Sequence, residues 1–89
     1  AVVIALHGAY GEDGEVQALL ETQDVPYTGS NSAASALAFS KWSAKQRFGE
    51  SGIPTPTSCR IESTDPAGFS DSAADVIGYP LVVKPDRQG

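Results

Sequence analysis

Methionine is absent from these 89 residues, and cysteine, tryptophan and histidine each occur once. A single thiol excludes an internal disulfide, and one thiol with one imidazole cannot assemble a Cys/His metal site. Scarce cysteine fits a reducing compartment. Long apolar runs are missing too. The longest, residues 1–6, is far too short to span a membrane and lacks the basic flank of a signal peptide. A cytoplasmic location is the default expectation. The chain opens inside an apolar run and stops in what reads as a loop, so both ends are expected to be cut from a longer sequence.

Positive charge is also scarce. Six Lys and Arg stand against eleven Asp and Glu, for a net charge of −5. The six cations are scattered along the sequence. That argues against a nucleic-acid surface, which needs clustered cations to displace counterions. A nucleotide site asks for less: one or two placed lysines and some backbone N–H groups. The charged fraction is only 19%, so disorder through charge repulsion is not expected. At 40% apolar, the chain offers one small domain or pieces of two, with a modest core.

Residues 2–6 are a continuous apolar run rich in β-branched side chains, the pattern of a strand buried on both faces of a parallel sheet. Residues 7–14 hold three glycines and read as a loop. Residues 15–23 read as a helix with Val16, Leu19 and Leu20 on one face and Asp13 as N-cap. Residues 25–30 suggest a short extended segment closing in a turn. A second helix is predicted over 32–48, ended by Gly49 and Gly52, and the Pro-containing stretch 53–56 cannot continue it. That stretch is the candidate domain boundary. Beyond it come a short strand at 57–61, a helix opened by Asp65-Pro66 and carrying Phe69, Ala73, Val76 and Ile77, and a strand at 81–84. The fold class is α/β.

The first loop carries the densest chemistry. His7 ends a strand, where ligands of open α/β sheets gather, and Glu12 and Asp13 share its loop with a helix N-terminus. Position alone allows two readings: a ligand site, or a polar strand end with a helix cap. On a helical wheel, Lys41 falls on the face of Ala34, Leu37, Ala38 and Phe48. A lysine on an apolar face either reaches water or meets an anion. By itself that pattern favours snorkelling for Lys41 and leaves Lys84, after three apolar residues, open. Trp42, Phe39 and Phe48 read as packing residues, Cys59 as a small buried strand residue, and Asp71 with Asp75 as a solvated helix face.

The order His7-Gly8-x-x-Gly11-Glu12-Asp13-Gly14-x-Val16-Gln17-Ala18 resembles the first signature of the D-alanine–D-alanine ligase family, within the ATP-grasp enzymes. Four later segments resemble further marks of that family in the same order. They are Tyr27-Thr28-Gly29-Ser30, the run from Ala34 to Lys41, Gly52-Ile53-Pro54-Thr55-Pro56, and Tyr79-Pro80-Leu81-Val82-Val83-Lys84-Pro85 followed by Arg87 and Gly89. The resemblance implies that residues 1–52 are the C-terminal part of a Rossmann-like N-terminal (pre-ATP-grasp) domain. Residues 53–89 would then begin the ATP-grasp central domain.

The implied reaction joins two D-alanines through an acyl phosphate made from ATP, for peptidoglycan precursors, with magnesium assisting. Lys41 and Lys84 match family lysines that contact ATP phosphates, while His7 and Glu12 match residues of the D-alanine site. Tyr10 falls at a variable position and takes no role. The resemblance further implies a cytoplasmic homodimer, no nucleic acid and no membrane. The glycine-serine loop, the metal-binding acids and an acyl-phosphate arginine are expected after Gly89, and a substrate-contacting Glu before Ala1. On that expectation the 89 residues alone are inactive. A ligase for D-lactate or D-serine, or a non-catalytic remnant or binding module, is the alternative. The family usually has an acid where Ser40 stands, which bears on how Lys41 is oriented. Asn31-Ser32 also replaces a segment that is often Gly followed by an aliphatic residue.

Overall fold

In this computed structural model, residues 1–61, 73 and 75–88 are described. The first apolar segment pairs where its neighbour permits. Val2 N–H donates to Pro26 O (2.8 Å) and Thr28 N–H donates to Val2 O (3.0 Å), so Val2 and Tyr27 form a parallel bridge. Ile4 N–H adds a bond to Thr28 Oγ1 (3.0 Å). With a helix between the two extended pieces, the chain opens as a parallel β-α-β arrangement.

The buried strands expected from the sequence are a different matter. Val3 is 78% exposed and Leu6 51% exposed, and among the described residues the pairing of residues 2–6 does not extend beyond that one bridge. A parallel strand is buried by neighbours on both sides and helices on both faces. The described residues supply one short neighbour. Residues 57–61 and 81–84 likewise form no ladder among the described residues, with Val82 78% and Val83 69% exposed.

The loop expected at 7–14 contains one hydrogen-bonded turn, α1 (Gly8–Gly11), closed by Glu12 N–H on Gly8 O (2.9 Å). Ala9 and Tyr10 inside it leave helical dihedrals, Tyr10 at φ 71°. Helix α2 (Glu15–Thr22) follows. Its N-cap is Gly14, not Asp13, at φ 96°. A side chain is excluded there twice over: by the left-handed backbone, and by Ser32 O, which a Cβ would approach to 2.4 Å. Asp13 still serves the helix from one residue further out, accepting from Glu15 N–H (3.0 Å). On α2, Val16 and Leu20 are half-buried, Leu19 is exposed, and the buried residue is Gln17.

The single helix predicted over 32–48 is two. Helix α3 (Ser32–Phe39) is capped by Asn31, whose side chain accepts from Ala34 N–H (2.9 Å). Helix α4 (Lys41–Glu50) begins after Ser40, which at ψ 116° cannot belong to either. Gly49 therefore lies inside α4. Gly52 ends it, at φ 72°, with Ile53 N–H on Phe48 O (2.8 Å) and Gly52 N–H on Gly49 O (3.2 Å), the paired bonds of a Schellman close. Glu21 ties α2 to α3: its carboxylate accepts from Ser32 N–H (2.9 Å), Ser32 Oγ (2.6 Å) and Tyr27 Oη (2.5 Å).

Ala73 and residues 75–77 are helical, and Gly78 follows at φ 80°. Asp65, Pro66, Phe69 and Asp71, where the sequence places the start and first turns of this helix, lie outside the described residues. Asp75 is exposed, as a solvated face requires. Ala73, 3% exposed, is the buried apolar residue of the described set. No helix among the described residues is long and apolar enough to cross a membrane.

Candidate functional site

The first loop is held by its own acids. Glu12 Oε2 accepts from Gly8 N–H (2.6 Å), and Asp13 Oδ2 accepts from Tyr10 N–H (2.8 Å). The Tyr10 N–H and then the Glu15 N–H hold the Asp13 carboxyl below its ordinary value. Glu12 also lines a cleft of about 320 Å³ with Gly11, Gln17, Thr28, Ser30 and Ser35. His7 is exposed and does not line it.

Gln17 was part of the motif without a role. Its Nε2 donates to Gly11 O (3.1 Å), while its Oε1 is buried without a hydrogen-bond partner. A buried orphan acceptor costs about 1–3 kcal/mol. The Glu12 carboxylate in this cleft suits a ligand that donates hydrogen bonds. A polar residue on the inner face of α2 was the available signal in the sequence.

A second cleft, of about 410 Å³, lies along α4. Lys41, Lys45, Arg60 and Lys84 line it, and Asp86 is its one carboxylate among the described residues. The cations that look scattered in the sequence are thus gathered: four of the six share one cleft. Lys41 is half-buried and donates through Nζ to Gln88 O (2.6 Å). Lys45 Nζ donates to Thr55 Oγ1 (2.8 Å) and Pro56 O (2.7 Å), tying the Pro-containing stretch to α4. Lys84 is exposed. Lys45 and Arg60 went unnoticed in the sequence, where no motif or spacing joins them to Lys41 and Lys84.

The helical wheel through 32–48 does not apply, because the break at Ser40 makes Lys41 the first residue of α4. Trp42 and Cys59 are half-buried in the wall of this cleft, with Cys59 outside any strand. Phe39, half-buried, carries the Arg87 guanidinium 5.7 Å from its ring centroid, a cation–π distance. Phe48 is 41% exposed.

Asp86 reaches the beginning of α4. Its Oδ1 accepts from Trp42 N–H (2.8 Å), its Oδ2 from Ser40 Oγ (2.9 Å), and its main-chain O from Lys41 N–H (3.1 Å). The Trp42 N–H first, then the Ser40 hydroxyl, hold the Asp86 carboxyl below its ordinary value, with Arg60 and Arg87 adding to the effect. Helix N-termini favour a negative charge for the same reason.

A family model described as D-ala D-ala ligase N-terminus matches residues 1–30, which include His7 and Glu12. The D-alanine–D-alanine ligase of Nitrosomonas europaea is 49% identical over 88 residues, 99% of this chain and 28% of that protein. Over nearly all of its own length the chain is similar to D-alanine–D-alanine ligases. The ligase of Ralstonia pickettii is 47% identical over 89 residues, 26% of its length. Among solved structures, the Bacillus anthracis ligase complexed with ATP superposes with a TM-score of 0.85 at 40% identity, covering 98% of this chain and 29% of that one. The Coxiella burnetii ligase gives a TM-score of 0.75 at 32% identity, covering 82% and 22%. The chain therefore spans little more than a quarter of the length of the ligase-family proteins it matches over nearly all of its own length.

Proposed function

We propose that these residues belong to an ATP-dependent D-alanine–D-alanine ligase, with 1–52 closing its N-terminal domain and 53–89 opening its ATP-grasp domain. The observation that carries the reading is the cleft shared by Lys41 and Lys84, with Lys45 and Arg60 beside them. In this reading Lys41 and Lys84 hold ATP phosphate oxygens. Moving a phosphoryl group builds negative charge, and fixed cations stabilise it. His7 sits beside the substrate carboxylate, and Glu12 serves the amino group of the first D-alanine.

The carboxylate oxygen of one D-alanine takes the γ-phosphoryl group and ADP leaves. The amine of the second attacks the acyl carbon, phosphate departs with the C–O bond electrons, and the amine gives up a proton. Magnesium is expected to accompany the ATP. No group of three His, Cys, Asp or Glu among the described residues could hold a metal ion, so no step here runs through it. The whole enzyme is read as a cytoplasmic homodimer that supplies peptidoglycan precursors.

The test is an assay of the full-length protein with ATP and D-alanine. One ADP and one phosphate per dipeptide are expected, with D-alanine preferred over D-lactate and D-serine as acceptor. ADP release that does not depend on D-alanine would sink the reading. The 89 residues alone are expected to form no dipeptide.

A further inference from the structure

The first four N–H groups of a helix have no partner within it. In α4, two residues that lie 46 apart in sequence satisfy three of them. Lys41 N–H goes to Asp86 O (3.1 Å), Trp42 N–H to Asp86 Oδ1 (2.8 Å) and Ser43 N–H to Ser40 Oγ (3.1 Å), while Ala44 N–H on Ser40 O (2.9 Å) is the helix's own first bond. Ser40 Oγ then donates to Asp86 Oδ2 (2.9 Å), which closes the set, and Ser40 is only 5% exposed. Lys41 is the first residue of this helix, and Lys84 stands two residues before Asp86.

We propose that Asp86 is a positioning residue that holds Lys41 and Lys84 in register for one polyphosphate, and that Ser40 and Asp86 are a pair whose members can be exchanged. The inference rests on the ligase reading, which gives both lysines to ATP. Any slip of Asp86 along α4 displaces Lys84 relative to Lys41, because the main chain joins Lys84 to Asp86 and two hydrogen bonds join Asp86 to the first turn. A third tie is the Lys41 Nζ bond to Gln88 O. An ammonium has three donors, so two remain for phosphate oxygens.

The pair also accounts for the departure at position 40. A carboxylate there, as the resemblance leads one to expect, would face the Asp86 carboxylate across a hydrogen-bond distance, and two like charges so close cannot both be accommodated cheaply. This chain keeps one carboxylate and one hydroxyl at the start of α4, with the carboxylate supplied from the distant turn at Asp86. Moving each to the other position preserves the set: an aspartate at 40 caps the helix directly, and a serine at 86 donates to it.

The test uses the full-length protein that contains this chain. Affinity for a non-hydrolysable ATP analogue is measured by calorimetry, beside thermal melts, in the wild type, Ser40→Asp, Asp86→Ser and the double variant S40D/D86S. Each single change is expected to weaken the analogue roughly tenfold, and the double variant to return to within about threefold of wild type. Single variants that melt earlier yet bind as wild type would reduce the pair to a structural clip and overturn the inference. So would a double variant no tighter than the singles. If Asp86→Ser does not fold, the double variant decides: near-wild-type affinity upholds the exchange, and failure overturns it. A wild type that binds the analogue but makes no dipeptide removes the ligase reading and leaves this comparison standing. A wild type that binds no nucleotide removes both.

Discussion

Carboxylates do much of the local work in this chain. Asp13 and Glu21 each gather donors that would otherwise be left to water, and their pKa values fall below the ordinary 3.8 and 4.5. For Glu21 the Ser32 hydroxyl is the leading cause, followed by Tyr27, whose own phenol is pushed up by the same bond. A carboxyl with a depressed folded pKa adds stability above its unfolded pKa and loses it as pH falls through the folded one. The melting temperature of the full-length protein is therefore expected to drop as pH is lowered below about 4.5, and Glu21→Gln is expected to flatten that drop. A melt series in which the two proteins run parallel would contradict this. The lysines carry a different expectation. Lys41→Met and Lys84→Met should each lower kcat/KM for ATP by about 10²-fold, the scale for removing one fixed charge from a transition state. Steady-state kinetics of the full-length protein give the answer, and unchanged values for Lys84→Met would remove it from the site.

At the scale of elements, Gly14 is the most constrained joint. Gly14→Ala meets both a left-handed backbone and the Ser32 carbonyl, and should cost about 2 kcal/mol or more. Denaturant unfolding measures that loss directly. Helix α2 was legible because its punctuation is local: an acid, a glycine and an apolar spacing all within the segment. The close at Gly52 was legible for the same reason. The break at Ser40 was not, since nothing in that alanine-rich run interrupts a helix. The new helix start there is held in part by Asp86, far along the sequence. The apolar runs were legible as strand material, but pairing needs a partner that no single segment contains. In the candidate site, Lys41 and Lys84 stood out only by resemblance. Lys45 and Arg60 had no local mark, because only the fold brings them to the cleft. Gln17 was visible as a motif residue, and its orphan oxygen was not.

The whole molecule is extended for its length. Its radius of gyration is 16.5 Å, with extents of 49 × 29 × 19 Å, against about 12 Å for a compact domain of this size. Val3, Leu6, Val82 and Val83 are all more than half exposed. Little apolar surface is therefore removed from water to offset the entropy of ordering the chain. The isolated 89 residues are expected to show no cooperative melt well above room temperature and to associate through those surfaces. Calorimetry with light scattering checks both, and a sharp high-temperature transition of a monomer would refute them. The break at Ser40 has a mechanical consequence at this scale. Its ψ bond is a fulcrum with α4 as the lever, about 15 Å long for ten residues. A turn of about 10° at that bond leaves Lys41, beside the fulcrum, almost in place, yet carries the far end of the lever by roughly 2–3 Å. The α4 residues that line the cation-bearing cleft, Lys41, Trp42 and Lys45, all lie at the fulcrum end, so such a turn swings the exposed end of the helix and leaves the first lysine in place.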